Sequence, residues 1–230
     1  MRYNVVLFDL DYTLFDSAAS EHEALKLSFE EFSIPFNEDL KSRYQRINKK
    51  LWGDLENNKI SLEMLRVQRF KECLDYLGHR LDPIKLADSY TYNLGIHGGL
   101  LPGARELLES LKGNVKLALI TNGVGITQRA RIKKFDLEQY FNAIVISGEF
   151  GSSKPNSAIF TESLRLLQHN SKSDVVMVGD SATSDMLGAQ NFGIDSCWFN
   201  PQRGELPKEI EVNFIAHSFD QALEFILRSF

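Results

Sequence analysis

Four apolar runs, each leading into a short cluster of polar residues, constrain this chain more than any other feature of its sequence. Val5-Val6-Leu7-Phe8 leads into Asp9-Leu10-Asp11-Tyr12-Thr13, and Leu117-Ala118-Leu119-Ile120 leads into Thr121-Asn122-Gly123. Val175-Val176-Met177-Val178 leads into Gly179-Asp180-Ser181-Ala182-Thr183-Ser184-Asp185, and the run Ala143 to Ile146 lies a few residues before Lys154-Pro155. Short apolar runs of this kind read as strands buried on both faces, which is the pattern of a parallel sheet. Open α/β sheets bind their ligands beyond the carboxyl ends of the strands. The clusters are therefore expected to converge on one site with four carboxylates, a hydroxyl and an ammonium.

Between the first and second runs the pattern changes. Apolar residues recur at helical spacing, as in Leu40, Tyr44, Ile47 and Leu51, or Leu86, Tyr90 and Leu94. Segments 19–32, 38–56, 61–77 and 83–95 read as helices, separated by Pro35 with Asn37 and by Gly78 with Pro83. Beyond His97-Gly98-Gly99, helix and strand alternate: helices at 103–112, 125–135, 156–168 and 183–192, strands at 115–121, 142–147, 174–180 and 194–199. Phe214-Ile215-Ala216 reads as an edge strand, and Ser218 with Gln221 as the start of a last helix over 219–228. The expected fold is α/β, a Rossmann-like parallel-sheet core over residues 1–16 and 97–230. A helical-bundle cap over residues 17–96 is inserted after the first strand.

Asp9 and Asp11 stand two residues apart at a strand end, so in extended backbone both side chains point the same way. Carboxylates held that close stay ionised only beside a cation or when one takes a proton. With Asp180 and Asp185 they form an oxygen donor set without histidine or cysteine, suited to a hard ion such as Mg²⁺. A metal with open positions beside Lys154 suits a phosphoryl group. Thr121 offers a hydroxyl to it, and the backbone amides of Asn122 and Gly123 add donors at the start of a helix. Asp9, on the rigid strand end, is the candidate nucleophile. Asp11, where the loop begins, is the candidate acid and base. Singly, each cluster is a common structural device: a carboxylate capping a loop, a proline opening a helix. Together and in order they point to chemistry.

The rest of the chain narrows the field. Formal charge is -5, which leaves no basic face for a nucleic-acid polymer. The apolar stretches are shorter than the ~20 residues that a membrane helix needs. No leader pattern precedes the first strand. Cys73 and Cys197 provide neither a disulfide framework nor zinc spacing. A reduced, cytoplasmic protein acting on a small molecule, as monomer or homodimer, is expected. His22, His79, His97, His169 and His217 show no ligand spacing. Trp52, after Asn48-Lys49-Lys50-Leu51, offers a ring either to a nucleobase or to packing within the bundle. Phe15 and Asp16, in the loop leaving the first strand, lie near the site by chain proximity.

These clusters resemble the four motifs of the haloacid dehalogenase-like hydrolase superfamily, and a helical insertion directly after the first motif is similar to its C1 caps. The resemblance implies Asp9 as nucleophile, Asp11 as acid and base, and Thr121 and Lys154 as phosphoryl ligands. It also implies a Mg²⁺ held by Asp9, Asp180 and the backbone carbonyl of Asp11, with Asp185 assisting. Asn48 to Trp52, Leu101-Pro102-Gly103-Ala104 and the second and fourth clusters resemble the pyrimidine 5′-nucleotidase branch, acting on UMP, dUMP or dTMP. Many relatives with sugar-phosphate substrates have Gly after the second Asp; Tyr12 stands here.

Other readings make different demands. A dehalogenase needs neither Asp11 nor Asp180. A phosphomutase of the β-phosphoglucomutase type would keep every residue named, as would a phosphatase of sugar phosphates or another small metabolite. A receiver domain gathers similar residues in about half this length. A binding module on the same fold would not require the intact set.

Overall fold

The structure, a computed structural model, describes residues 2–57 and 59–227. Its sheet has six strands: β1 (Val5–Phe8), β2 (Lys116–Thr121), β3 (Ala143–Ile146), β4 (Val175–Gly179), β5 (Asp195–Phe199) and β6 (Phe214–Ala216). They pair in the order β3-β2-β1-β4-β5-β6, each pairing parallel. The expected α/β parallel sheet is borne out, including its short edge strand. Phe8 of β1 aligns with Leu119 of β2 and Val178 of β4, so the strand carrying Asp9 is central.

Alternate residues of each strand enter opposite layers of the core, as the pleat requires. Val6 and Phe8, Leu117 and Leu119, and Val176 and Val178 pack with α5 (Ala104–Leu111) and α10 (Phe219–Leu227). Val5 and Leu7, Ala118 and Ile120, and Val175 and Met177 pack with α8 (Ser157–Leu166) and α9 (Leu187–Phe192). Covering both faces explains why the strands read as unbroken apolar runs rather than alternating ones.

Four helices follow β1: α1 (Ser17–Glu31), α2 (Glu38–Glu56), α3 (Leu62–Leu77) and α4 (Pro83–Ile96). Local chemistry sets their starts. Asn37 accepts from Leu40 N, Ser61 from Met64 N, and Asp82 from Ile84 N with Pro83 in the first turn. Gly78, at φ +62, ends α3 in the left-handed conformation that helix termini favour. The apolar faces meet around Phe29, Tyr44, Phe70 and Tyr90.

The chain divides into two compact units: Met1–Asp16, Gly99–Gly125 and Ile132–Phe230 form the α/β unit, and Ser17–Gly98 with Ile126–Arg131 form the helical unit. The segment 126–131, inside α6 (Gly125–Lys134), is absent from the 17–96 boundary read from sequence. Its membership rests on particular side chains. Thr127 Oγ1 donates to Thr91 O at 3.1 Å, and Arg131 donates from Nε to Leu94 O at 2.9 Å and from Nη2 to Ser20 Oγ at 3.0 Å. Gly95 belongs there because a Cβ at that position would lie 3.0 Å from Ala130 Cβ.

Smaller differences from the sequence reading have local causes. Gly103, at φ +89, stays outside α5, which starts at Ala104. A single helical turn, α7 (Ser147–Phe150), follows β3, and a 3-10 turn spans Leu137–Gln139. The helix expected over 183–192 is a π-helical turn, Ala182–Met186, followed by α9. Residue 228, the expected end of the last helix, lies outside the described residues. No described helix is long and apolar enough to cross a membrane.

Candidate active site

The strand ends of the α/β unit bring Asp9, Lys154, Asp180 and Asp185 together. Lys154 Nζ donates to Asp9 Oδ1 at 2.5 Å and to Ile120 O at 2.8 Å, and lies 2.7 Å from Asp185 Oδ1. Two of the three ammonium protons are engaged in these hydrogen bonds, and Asp185 is held by charge alone. Asn122 sets the position of Lys154. Its Oδ1 accepts from Lys154 N at 2.9 Å and its Nδ2 donates to Lys154 O at 3.0 Å. The Asn122 side chain thus grips the backbone of Lys154, while it is its backbone amide that the sequence reading offers to a phosphoryl group. Gly123 N, also expected to face a phosphoryl group, donates to Ser147 Oγ at 3.0 Å. Thr121 ends β2, fully buried, opposite Ile146 of β3.

Thr13 ties the first cluster to the fourth. Its Oγ1 accepts from Asp180 N at 3.0 Å and lies 3.2 Å from Asp180 Oδ1 and 3.4 Å from Asp9 Oδ2. One hydroxyl proton serves one of these carboxylates at a time. The turn behind it is tight: Leu14 N and Phe15 N both donate to Leu10 O, and Tyr12 N donates to Phe15 O. Asp11 is half-buried in that turn and bridges Phe15.

The π-helical turn after β4 has its cause in Asp185. Asp185 N and Met186 N both donate to Ser181 O, at 3.0 and 3.1 Å, which widens the first turn. The carboxylate folds back, Oδ2 accepting from Ser181 N at 3.0 Å. Gly179 makes room for it, since a Cβ there would lie 2.3 Å from Asp185 Oδ2. Trp198 Nε1 donates to Asp180 O at 2.7 Å and holds the neighbouring residue from β5.

Electrostatics follow from three buried or nearly buried acids sharing one cation. Burial pushes Asp9 up to about 7, against the pull of Lys154, with Asp185 and Asp11 adding to the rise. Burial, then Asp9 and Asp185, hold Asp180 well above the usual carboxylate range. Burial alone would lower Lys154, but Asp185 and Asp9 outweigh it and keep the ammonium above the ordinary lysine range. The site thus has an excess of negative charge. Asp9, Asp180 and Asp185 each offer one oxygen within 4.8 Å of the others. The ion pair of Asp185 Oδ1 with Lys154 lacks hydrogen-bond geometry, so this buried oxygen keeps an unfilled acceptor position. An all-oxygen, charge-rich set with an unfilled acceptor fits a hard divalent cation. Asp11 adds no carboxylate to that group; its expected contribution is a backbone carbonyl.

Trp52 belongs to the helical unit, half-buried against Leu51, Leu55 and Leu65. Two residues at the strand ends escape sequence reasoning. Thr13 was visible as the next same-side position after Asp9 and Asp11, and Ser147 as the residue directly following β3.

Residues 6–199 match the haloacid dehalogenase-like hydrolase family, and the chain belongs to it. It is 33% identical over 228 residues to the pyrimidine 5′-nucleotidase YjjG of Escherichia coli, covering 99% of this chain and 100% of that one. It is 34% identical over 225 residues to the pyrimidine 5′-nucleotidase PynA of Streptococcus pneumoniae, covering 97% and 95%. The crystal structure of the HAD-hydrolase YfnB of Bacillus subtilis, bound to magnesium, superposes with a TM-score of 0.93 at 31% identity, covering 99% and 100%. A more distant relative, 28% identical over 243 residues and covering 99% and 94%, is a glyceraldehyde 3-phosphate phosphatase of Pyrococcus furiosus. With relatives of these kinds along its whole length, the chain is an enzyme of the phosphoric monoester hydrolase class.

Proposed function

We propose that this enzyme is a Mg²⁺-dependent phosphatase of nucleoside 5′-monophosphates, pyrimidine ones foremost. The meeting of Asp9, Lys154, Asp180 and Asp185 at the strand ends carries the phosphatase chemistry. The likeness to two pyrimidine 5′-nucleotidases supports the substrate class.

Asp9, ionised beside Lys154, attacks phosphorus through one carboxylate oxygen. A bond forms from that oxygen to phosphorus, and the bond from phosphorus to the 5′ oxygen of the nucleoside breaks. Asp11 gives its proton to the departing oxygen, then takes one from a water that attacks the aspartyl-phosphate. Phosphate leaves and Asp9 is regenerated as a carboxylate. Lys154 and the Thr121 hydroxyl hold the phosphoryl oxygens, with the backbone amide of Asn122. Asp9, Asp180 and Asp185, with the Asp11 carbonyl, would hold Mg²⁺, which when bound neutralises charge on the phosphoryl group. Asp11, half-buried in the turn that follows β1, is the acid and base of this reading. The helical unit is the cap of this reading, and the half-buried ring of Trp52 is its candidate for base recognition.

Phosphate release from a panel of phosphorylated metabolites, with Mg²⁺ and with chelator, tests this function. UMP, dUMP and dTMP should lead the panel, without need of a phosphorylated activator, and chelator should stop turnover. A sugar phosphate at the head of the panel would overturn the substrate class, and silence throughout would overturn the enzyme.

A further inference from the structure

A single peptide plane links two of the three acids that offer oxygens to a cation. The carbonyl of Asp180 and the amide of Ser181 belong to that plane and point to opposite sides of it. Ser181 N donates to Asp185 Oδ2 at 3.0 Å, and Asp180 O accepts from Trp198 Nε1 at 2.7 Å. A peptide unit is planar and turns as one piece. The indole on its oxygen therefore bears on how its N–H meets the Asp185 carboxylate.

The preceding plane is held as well. Asp180 N, which belongs to it, donates to Thr13 Oγ1 at 3.0 Å. The two planes meet at the Asp180 Cα, and their orientations set where its carboxylate points. Thr13 reaches one plane from the turn after β1, and Trp198 reaches the other from β5. Asp180 stands one residue beyond β4, where Gly179 makes the last pairing, with Trp198 itself.

Trp198 is a firm support. It is buried in the same apolar layer as Met177 and Met186. A phenylalanine would supply the burial, but only an indole adds an N–H at the far end of the ring system.

We infer that Trp198 is a positioning residue for the metal: its N–H orients the peptide that joins Asp180 to the Asp185 carboxylate, and so sets their grip on a divalent cation. The inference deepens the Mg²⁺ dependence proposed above and rests on it.

The test titrates Mg²⁺ calorimetrically into the unchanged protein and into Trp198→Phe, which keeps an aromatic ring and loses the donor. The Kd for Mg²⁺ should rise about ten- to a hundredfold, as it does when groups that orient metal ligands are removed. Turnover should return as Mg²⁺ is raised to saturation. A role in packing alone would lower the thermal midpoint in chelator and leave that Kd unchanged. The sequence has two tryptophans, so Trp52→Phe leaves Trp198 as its sole indole. The emission of that variant should change as Mg²⁺ is added, with the calorimetric midpoint, and revert with chelator. An equal Kd in folded Trp198→Phe overturns the inference and leaves Mg²⁺ dependence standing, as does Trp198 emission that ignores bound Mg²⁺. Should Trp198→Phe fail to fold, the emission titration decides. An unchanged protein that binds no Mg²⁺ sinks the metal dependence and the inference with it.

Discussion

Lys154 and Asp9 form an ion pair at 2.5 Å with side chains only 1% and 8% exposed, and the same ammonium lies 2.7 Å from Asp185. Lys154 therefore holds two acids that would otherwise repel each other in a poorly hydrated site. Asp180, nearby, is a third acid, and burial with Asp9 and Asp185 disfavours its charged form.

Removing either partner of that pair should have opposite effects on stability. Lys154→Met leaves buried carboxylates without their cation, a change worth about 3–5 kcal/mol of lost stability, and turnover should disappear with it. Asp9→Asn relieves charge that burial already disfavours, so without divalent ion its thermal midpoint should match or exceed that of the unchanged protein. Its turnover should nevertheless fall by at least about a thousandfold. Thermal melts in chelator and phosphate release with Mg²⁺ check both. Appreciable activity in Asp9→Asn would refute its role as nucleophile.

Thr13→Val keeps the shape of the side chain and removes the hydroxyl that receives Asp180 N. A buried donor left without its partner costs about 1–3 kcal/mol, and the Asp180 loop should loosen, weakening activation by Mg²⁺. Thr13→Ser, which restores the hydroxyl, should recover most of both. Denaturant melts and a Mg²⁺ titration of activity measure the pair; an unaltered titration in Thr13→Val would exclude the positioning role.

Asp174 predicts an acid limit away from the site. Burial would raise it, but hydrogen bonds from Asn4, His169 and Ser171 outweigh burial and bring it to about 2. A carboxyl depressed in the folded state contributes stability that is complete above its unfolded value of about 4. That contribution is lost as pH falls from there through about 2. Asp174→Asn should therefore flatten the stability profile between about pH 4 and pH 2 relative to the unchanged protein. Melting midpoints measured across that range decide it, and parallel profiles would count against the carboxylate.

Much of this protein is legible in its amino-acid order. Buried parallel strands need apolar side chains on both faces, so β1, β2, β3 and β4 announce themselves, and so do the polar residues where each run stops. Helix starts at Asn37, Ser61 and Asp82 are equally local, because a capping side chain bonds an amide two or three residues away. What depends on distant partners was not legible. Asp180 N bonds a hydroxyl 167 residues earlier, and Asn122 grips a backbone 32 residues later. Residues 126–131 join the helical unit through Thr91, Leu94 and Ser20. The chain alone determined which groups stand at the strand ends, because hydrophobic burial is written residue by residue. Only the tertiary structure decided which of them touch, because a hydrogen bond or ion pair is chosen by distance in space and not by spacing along the backbone.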